Sequence, residues 1–156
     1  MTGVVADASP LIAFHQVGQL PLLQALFTTL LVPPAVGREI APSVPTQPWI
    51  VERHPTQPLA PQVLQASLGA GESEAISLAL ELRADHLVVD EKAARHLAEG
   101  LGLNVIGTLG ILLAAKRKGL IPAVRPQVEA LLEKNFWISP RLVERALAAV
   151  GEEAKA

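Results

Sequence analysis

The chain contains no cysteine, and this absence excludes several classes of site and fold. None of its 156 residues is a Cys. Without thiols there is no disulfide framework, no thiolate zinc site and no cysteine nucleophile. We therefore expect neither a small disulfide-stapled secreted protein nor a cysteine-dependent enzyme.

Charge of either sign is also scarce. The 13 Lys and Arg residues and the 15 Asp and Glu residues give a formal net charge of -2, and only 18% of the residues are charged. A near-neutral surface does not attract a phosphate backbone as a whole, so nucleic-acid binding would need a local basic patch. Since 50% of the residues are hydrophobic, the chain is suited to burying a core rather than to remaining disordered.

Long hydrophobic runs are missing as well. No uninterrupted apolar stretch approaches the roughly 18 to 20 residues that a membrane-spanning helix needs. The early apolar runs are interrupted by polar residues such as Asp7, His15 and Gln24, and the first basic residue is Arg38. This pattern is not typical of a signal peptide. We therefore expect a cytoplasmic protein that does not associate with a membrane.

Short apolar runs alternate with helical patterns along the chain. The runs with strand character are Val4–Ala6, Thr29–Val32, His86–Val89 and Asn104–Ile106. Helices between short apolar strands require crossover connections, which are typical of parallel sheets covered on both faces. We predict an α/β fold, a three-layer α/β/α sandwich around a central, mainly parallel sheet.

Six prolines crowd the stretch Ala41–Pro61, in which Trp49–Val51 is the only strand-like piece. We interpret this stretch as a surface loop and not as a domain boundary, because neither flank is long enough for a core of its own. The length of the chain predicts one domain at residues 1–150, followed by a C-terminal tail at residues 151–156.

Several familiar catalytic motifs are absent. The chain has no G-x-S-x-G elbow and no G-x-x-x-x-G-K-[ST] loop, and its four histidines show no zinc-ligand spacing. Any chemistry is therefore expected to come from carboxylates.

Acidic residues lie at positions where parallel strands would place a ligand site. Asp7 ends the first strand and Asp90 ends a later one, and the carboxyl ends of parallel strands face the crevice where ligands bind. Glu39 is near the end of the helix after the second strand, and Glu72 and Glu74 are near the start of the helix before the Asp90 strand. Converging carboxylates repel each other unless a cation lies among them, and such ligands select Mg²⁺ or Mn²⁺. The implied chemistry is metal-assisted phosphodiester hydrolysis.

Each acid also has a purely structural interpretation. Asp7 could form an Asx turn or a helix cap, and Asp90 could cap the helix that follows it. Glu72 and Glu74 could complement a helix N-terminus, and Glu39 could be solvated surface. From the residues alone, both interpretations stay open.

Four segments of the chain resemble the PIN domain. They are VVADASPLIAF, GAGESEAISLALE, HLVVDEKAARHLAEGLGL and NVIGTLGILLAAKRKGLI, and the resemblance extends from about residue 3 to about residue 150. It implies an α/β nuclease with an acidic cluster that binds Mg²⁺ or Mn²⁺ and with RNA as its substrate. It also implies a homodimer and, as in VapBC-type pairs, the toxin of a toxin–antitoxin system with an antitoxin protein as partner.

The resemblance assigns roles to individual residues. It implies that the catalytic, metal-binding acids are Asp7, Glu39, Glu74 and Asp90. Glu74 is preferred to Glu72 because Glu74-Ala75-Ile76 aligns with the family's Asp-Ala-x-Ile pattern. Residues implied to support the site are Ser9, Glu72 and Glu91, and candidate phosphate contacts are Lys92, Arg95 and Arg38.

One turn departs from the family's pattern. Where the family usually has a Thr and a further Asp after the fourth strand, this chain has Asp90-Glu91 directly after Val89. Two functions of different class therefore remain. The first is a metal-dependent ribonuclease, and the alternative is a PIN-like binding module with weak or absent catalysis.

Overall fold

The computed structural model describes residues 3–153. Residues 1–2 of the predicted domain and residues 154–156 of the predicted tail lie outside the described residues. The strands are β1 (Val4–Ala6), β2 (Leu30–Val32), β3 (Ile50–Glu52), β4 (His86–Val88) and β5 (Val105–Ile106). The helices are α1 (Ala8–Gln16), α2 (Leu20–Phe27), α3 (Pro34–Ile40), α4 (Pro61–Gln65), α5 (Ala70–Leu82), α6 (Lys92–Gly100), α7 (Thr108–Arg117), α8 (Arg125–Glu133) and α9 (Pro140–Ala149).

The five strands form one sheet in the order β3-β2-β1-β4-β5, and every pairing is parallel. Val5 of β1 pairs with Leu31 on one side and with Leu87 on the other. From β1 the chain builds outward to β2 and β3, and then crosses to the opposite side of β1 to form β4 and β5. The predicted α/β/α sandwich with a parallel central sheet is confirmed, and the strand order reverses between β1 and β4.

The central strands are buried on both faces, as their uninterrupted apolar sequences require. Val5, Leu30 and Val88 are fully enclosed, and Phe14 of α1 and Ile76 of α5 pack into the same hydrophobic cluster. At about 25 cal/mol per Å² of apolar surface removed from water, such side chains each stabilise the fold by roughly 1.5 to 3 kcal/mol. The strands whose carboxyl ends carry Asp7 and Asp90 are therefore buried in the hydrophobic core.

The proline-rich stretch contains an edge strand. β3 pairs with β2 in the register Leu30 to Ile50, and the N–H of Leu30 donates to the carbonyl of Trp49 at 2.8 Å. Prolines on either side keep the strand short, which protects an exposed sheet edge from pairing with other chains. The strand-like piece expected at Trp49–Val51 thus closes one side of the sheet.

Prolines also begin several helices. α2, α3, α4, α8 and α9 each carry a proline in the first turn. The first N–H groups of a helix have no acceptor within the helix, so proline, which lacks an N–H, costs no hydrogen bond there. The fixed φ angle of proline also suits a helix. No helix within residues 3–153 is long and apolar enough to cross a membrane.

Glu152 ties the start of the predicted tail to the domain. Its carboxylate accepts hydrogen bonds from Lys116 Nζ at 2.7 Å and from the backbone N–H groups of Val124 and Arg125 at 2.7 and 3.0 Å. Burial raises the pKa of Glu152, but these donors outweigh it and lower the pKa to about 2. The contacts between Glu152 and the helices therefore extend the ordered packing past residue 150.

Candidate metal centre at the carboxyl ends of the central strands

The two strands at which the sheet order reverses are each followed by an aspartate. Ala6 at the end of β1 pairs with Val88 at the end of β4, and the N–H of Asp7 donates to the carbonyl of Val88 at 2.9 Å. Asp90 follows β4 by two residues. This pairing brings Asp7 and Asp90 to the same edge of the sheet, where open α/β sheets form their ligand crevice.

Asp7 is a buried carboxyl among other carboxyls. Its residue is only 4% exposed, and although it is the N-cap residue of α1, its side chain makes no capping hydrogen bond. Its pKa is raised from 3.8 to about 7, by burial first and then by the charges of Glu72, Glu39 and Asp90, while the backbone N–H of Ala8 acts to lower it. The site therefore disfavours a negative charge on Asp7 unless a cation offsets it.

Glycine at position 71 leaves the space that Asp7 and Glu39 share. A Cβ atom at Gly71, in the first turn of α5, would collide with Glu39 Oε1 and would lie 3.3 Å from Asp7 Oδ1. Both carboxylates thus face the same gap beside the N-terminus of α5, where the helix dipole favours negative charge.

Glu72 and Glu74 have different neighbours because residues two apart on a helix do not face the same way. Glu72 is in the first turn of α5, where its Oε2 accepts from the Gly69 N–H at 3.0 Å, and its charge raises the pKa of Asp7. Glu74 lies two residues further along, and its Oε1 accepts from the N–H of Ala35 at 3.0 Å. Glu74, preferred by the sequence alignment, thus joins α5 to the start of α3, whereas Glu72 is the one of the two whose charge acts on Asp7.

Asp90 is held by a residue that the sequence analysis missed. Thr108 is fully buried at the start of α7, its N–H donates to Asp90 Oδ1 at 2.8 Å, and its hydroxyl donates to Asp90 Oδ2 at 2.6 Å. Burial raises the pKa of Asp90, while Thr108 and the charge of Arg95 lower it. The only signal in the sequence is a threonine directly after the glycine that ends β5.

The residues near Asp90 that were expected to support the site or contact phosphate have different surroundings. Glu91, expected to support the site, is the N-cap of α6 and accepts from the Ala94 N–H at 2.7 Å. Arg95 lies close to Asp90. Both side chains approach Gly107, where a Cβ atom would be 2.8 Å from Asp90 Oδ1 and 2.9 Å from Arg95 Nη1. The other two candidate phosphate contacts, Lys92 and Arg38, are exposed.

Two cavities adjoin at Ser9. The smaller one, of about 240 Å³, is lined by residues that include Ala8 and Glu39. The larger one, of about 910 Å³, is lined by Asp90 and by the cationic residues of α6. Ser9, Asn135 and Phe136 line both cavities. Glu39 and Asp90 are therefore accessible to a substrate larger than a single ion, whereas Asp7 and Glu72 line neither cavity.

The donor chemistry fits a hard divalent cation. Asp7, Glu39 and Glu72 offer only carboxylate oxygens, the ligands that Mg²⁺ and Mn²⁺ prefer, and the gap beside Gly71 lies between two of them. Within residues 3–153, no group of three or more His, Asp or Glu side chains is already close enough together to hold an ion. Binding would therefore require these carboxylates to draw together.

Comparison with known proteins agrees with this arrangement. No curated protein matches the chain. A family model described as a PIN domain matches residues 3–152. PIN domains are generally nucleases, which are hydrolases, and usually use divalent metals. The resemblance seen in the sequence is thus confirmed, and because the match spans nearly the whole chain, the protein belongs to the PIN-domain family.

Proposed function

We propose that the protein is a metal-dependent ribonuclease that hydrolyses phosphodiester bonds in RNA. The observation that carries this proposal is the placement of Asp7 and Asp90 side by side at the reversal of strand order, with Glu39 and Glu72 near enough to raise the pKa of Asp7. The acids come from four separate segments of the chain, and the repulsion that the other three exert on Asp7 destabilises the metal-free fold, which supports a role in binding a cation.

Some of these residues would bind the ion, and Thr108 positions one of them. Asp7, Glu39 and Glu72 would hold a Mg²⁺ or Mn²⁺ ion, with Asp90 beside them. When bound, such an ion polarises a phosphate and lowers the pKa of a coordinated water. Thr108 positions Asp90 through two hydrogen bonds.

Neighbouring side chains would position the substrate. The Arg95 guanidinium next to Asp90 is placed to attract a phosphate that enters the larger cavity. Ser9, at the junction of the two cavities, is exposed and offers a hydroxyl to the same substrate. Together they would hold an RNA strand across the acidic residues.

The family resemblance supports finer expectations about biology. It suggests the toxin of a toxin–antitoxin pair, with an antitoxin protein as partner, a homodimeric state and a cytoplasmic location. These stay predictions. A small neighbouring reading frame that encodes a DNA-binding protein would support the toxin role.

A second candidate function is a PIN-like binding module without appreciable catalysis. It is favoured by the two hydrogen bonds from Thr108, which occupy both oxygens of Asp90. In this case the acids would bind a metal only to stabilise the fold.

Cleavage of single-stranded RNA distinguishes the two candidates. The purified protein should cut RNA in Mg²⁺ or Mn²⁺ and not in a chelator, and Asp90→Asn should abolish cutting while the protein remains folded. Glu129→Gln, at an exposed position of α8, is the matched control and should retain activity. Cutting that persists in Asp90→Asn would mean a contaminating nuclease. Metal binding without cutting of any RNA tested would favour the binding module.

A further inference from the structure

The segment between α8 and α9 exposes a tryptophan at the larger cavity. Trp137 is 78% exposed, whereas Trp49, the other tryptophan of the chain, is 8% exposed. A single exposed apolar side chain is common on protein surfaces, but apolar surface that borders a cavity is a candidate ligand-binding site. Trp137 lines the cavity that Asp90 also lines.

The backbone on both sides of Trp137 is anchored. α8 ends with Asn135 in a left-handed conformation, at φ 63°, and the N–H groups of Asn135 and Phe136 donate to the carbonyls of Leu132 and Leu131 at 3.0 Å. This is a Schellman motif, in which a fixed turn ends the helix. Phe136 packs against the core and Ile138 is buried. The backbone that carries the indole is therefore held at the cavity by its neighbours.

The charges around the larger cavity nearly cancel. Lys92 and Arg95 line it together with Asp90, Glu91 and Glu99. A lining of this kind provides little net attraction for a phosphate backbone. An RNA bound here needs a second source of affinity, and stacking of a base on an aromatic ring is a sequence-tolerant source.

We propose that Trp137 forms a nucleobase-stacking subsite, which holds a base next to the scissile phosphate of a single-stranded RNA. The proposal rests on the proposed ribonuclease function, since it places the phosphate at the acidic residues and the neighbouring base at the indole. The volume of about 910 Å³ lies within the range of about 300 to 1,000 Å³ that ligand pockets have.

Oligonucleotide binding in a chelator tests the subsite separately from cleavage. Short single-stranded RNA should quench tryptophan fluorescence, because Trp137 is accessible and Trp49 is buried. Trp137→Ala should weaken binding about 5- to 150-fold, the range for loss of one stacked base. Trp137→Phe should retain part of the affinity, and Leu64→Ala, at an exposed position outside both cavities, should not change it.

Abasic RNA shows whether the indole contacts a base. Removing one base at the right position should weaken binding to the wild type as much as Trp137→Ala does, and should have no further effect on that variant. Equal RNA affinities of the wild type and Trp137→Ala would overturn the proposal. So would a Trp137→Ala variant whose only change is weaker association between copies of the protein. If the subsite is confirmed but no RNA is cut in Mg²⁺ or Mn²⁺, the ribonuclease proposal fails alone.

Discussion

Asp7 should make the metal-free protein less stable as the pH rises. Its pKa is raised from 3.8 to about 7, by burial first and then by the carboxylates of Glu72, Glu39 and Asp90. Between these two values the folded protein binds more protons than the unfolded chain does, so the free energy of unfolding falls with increasing pH. The favourable contribution of Asp7 to the free energy of unfolding is fully present below about pH 3.8 and is lost above about pH 7.

The size of the effect follows from the two pKa values. Each pH unit between them corresponds to about 1.4 kcal/mol, so the interval from 3.8 to about 7 gives at most about 4 kcal/mol. Because Asp7 is only 4% exposed, solvent does little to reduce the penalty, but small movements of the carboxylates would. We therefore expect about 2 to 4 kcal/mol.

Asp7→Asn isolates this contribution, since asparagine has nearly the same shape and does not titrate. Urea unfolding followed by circular dichroism, in a chelator and from pH 4.5 to pH 8, should show the variant gaining about 2 to 3 kcal/mol relative to the wild type, because about 1 kcal/mol of the effect falls below pH 4.5. Using the difference between the two proteins cancels the other titrating groups. Glu129→Gln, an exposed control, should show no such trend. A difference that does not change with pH would refute the reasoning.

Metal binding should stabilise the wild type more than Asp7→Asn at neutral pH. An ion that binds only the folded state stabilises it by mass action. Millimolar Mn²⁺ at pH 7.5 should therefore raise the melting temperature of the wild type, and raise that of Asp7→Asn less. Identical wild-type melting curves in Mn²⁺ and in chelator would contradict a metal site at Asp7.

Three further predictions concern single contacts. Thr108→Val removes the hydroxyl that binds Asp90, and should lower the free energy of unfolding by about 1 to 3 kcal/mol in urea titrations at pH 8, because a partly buried carboxylate loses a donor. Gly71→Ala should abolish RNA cleavage, because its Cβ fills the gap between two carboxylates, while Gly100→Ala, with no atom within 4 Å of its Cβ, should leave cleavage unchanged. Glu152→Gln should lower the melting temperature at pH 7 but not near pH 2, since the lowered pKa of Glu152 stabilises the fold above about pH 4.5 and this stabilisation is lost as the pH falls towards 2.

Local patterns in the sequence determined the elements and the chemical character of the site. The apolar runs around Val5 and Val88 and the helical patterns between strands predicted a parallel sheet covered on both faces. The aspartates after these runs predicted a site at the carboxyl ends of the strands. The prediction of the sheet succeeds because strands buried on both faces have uninterrupted apolar sequences, and the two aspartates lie at one edge because the strands are parallel.

The tertiary structure decided which of these residues meet. β1 and β4 are far apart in the chain, and only the strand order brings Asp7 next to Asp90. The choice between Glu72 and Glu74 depended on how α5 lies against its neighbours, because both glutamates are in the same helix. The sequence alignment prefers Glu74, and in the structure Glu72 is the member of the pair whose charge acts on Asp7.

The roles of Thr108 and Trp137 also could not be predicted from the sequence. A threonine after a strand and a tryptophan between two helices have ordinary sequence contexts, and their roles depend on what packs beside them. Thr108 holds Asp90 because the start of α7 lies next to the end of β4. Trp137 borders the larger cavity because Phe136 and Ile138 anchor its backbone. Residue order determined which groups the chain carries, and long-range packing decided which of them act together, because their contacts join segments that are distant in sequence.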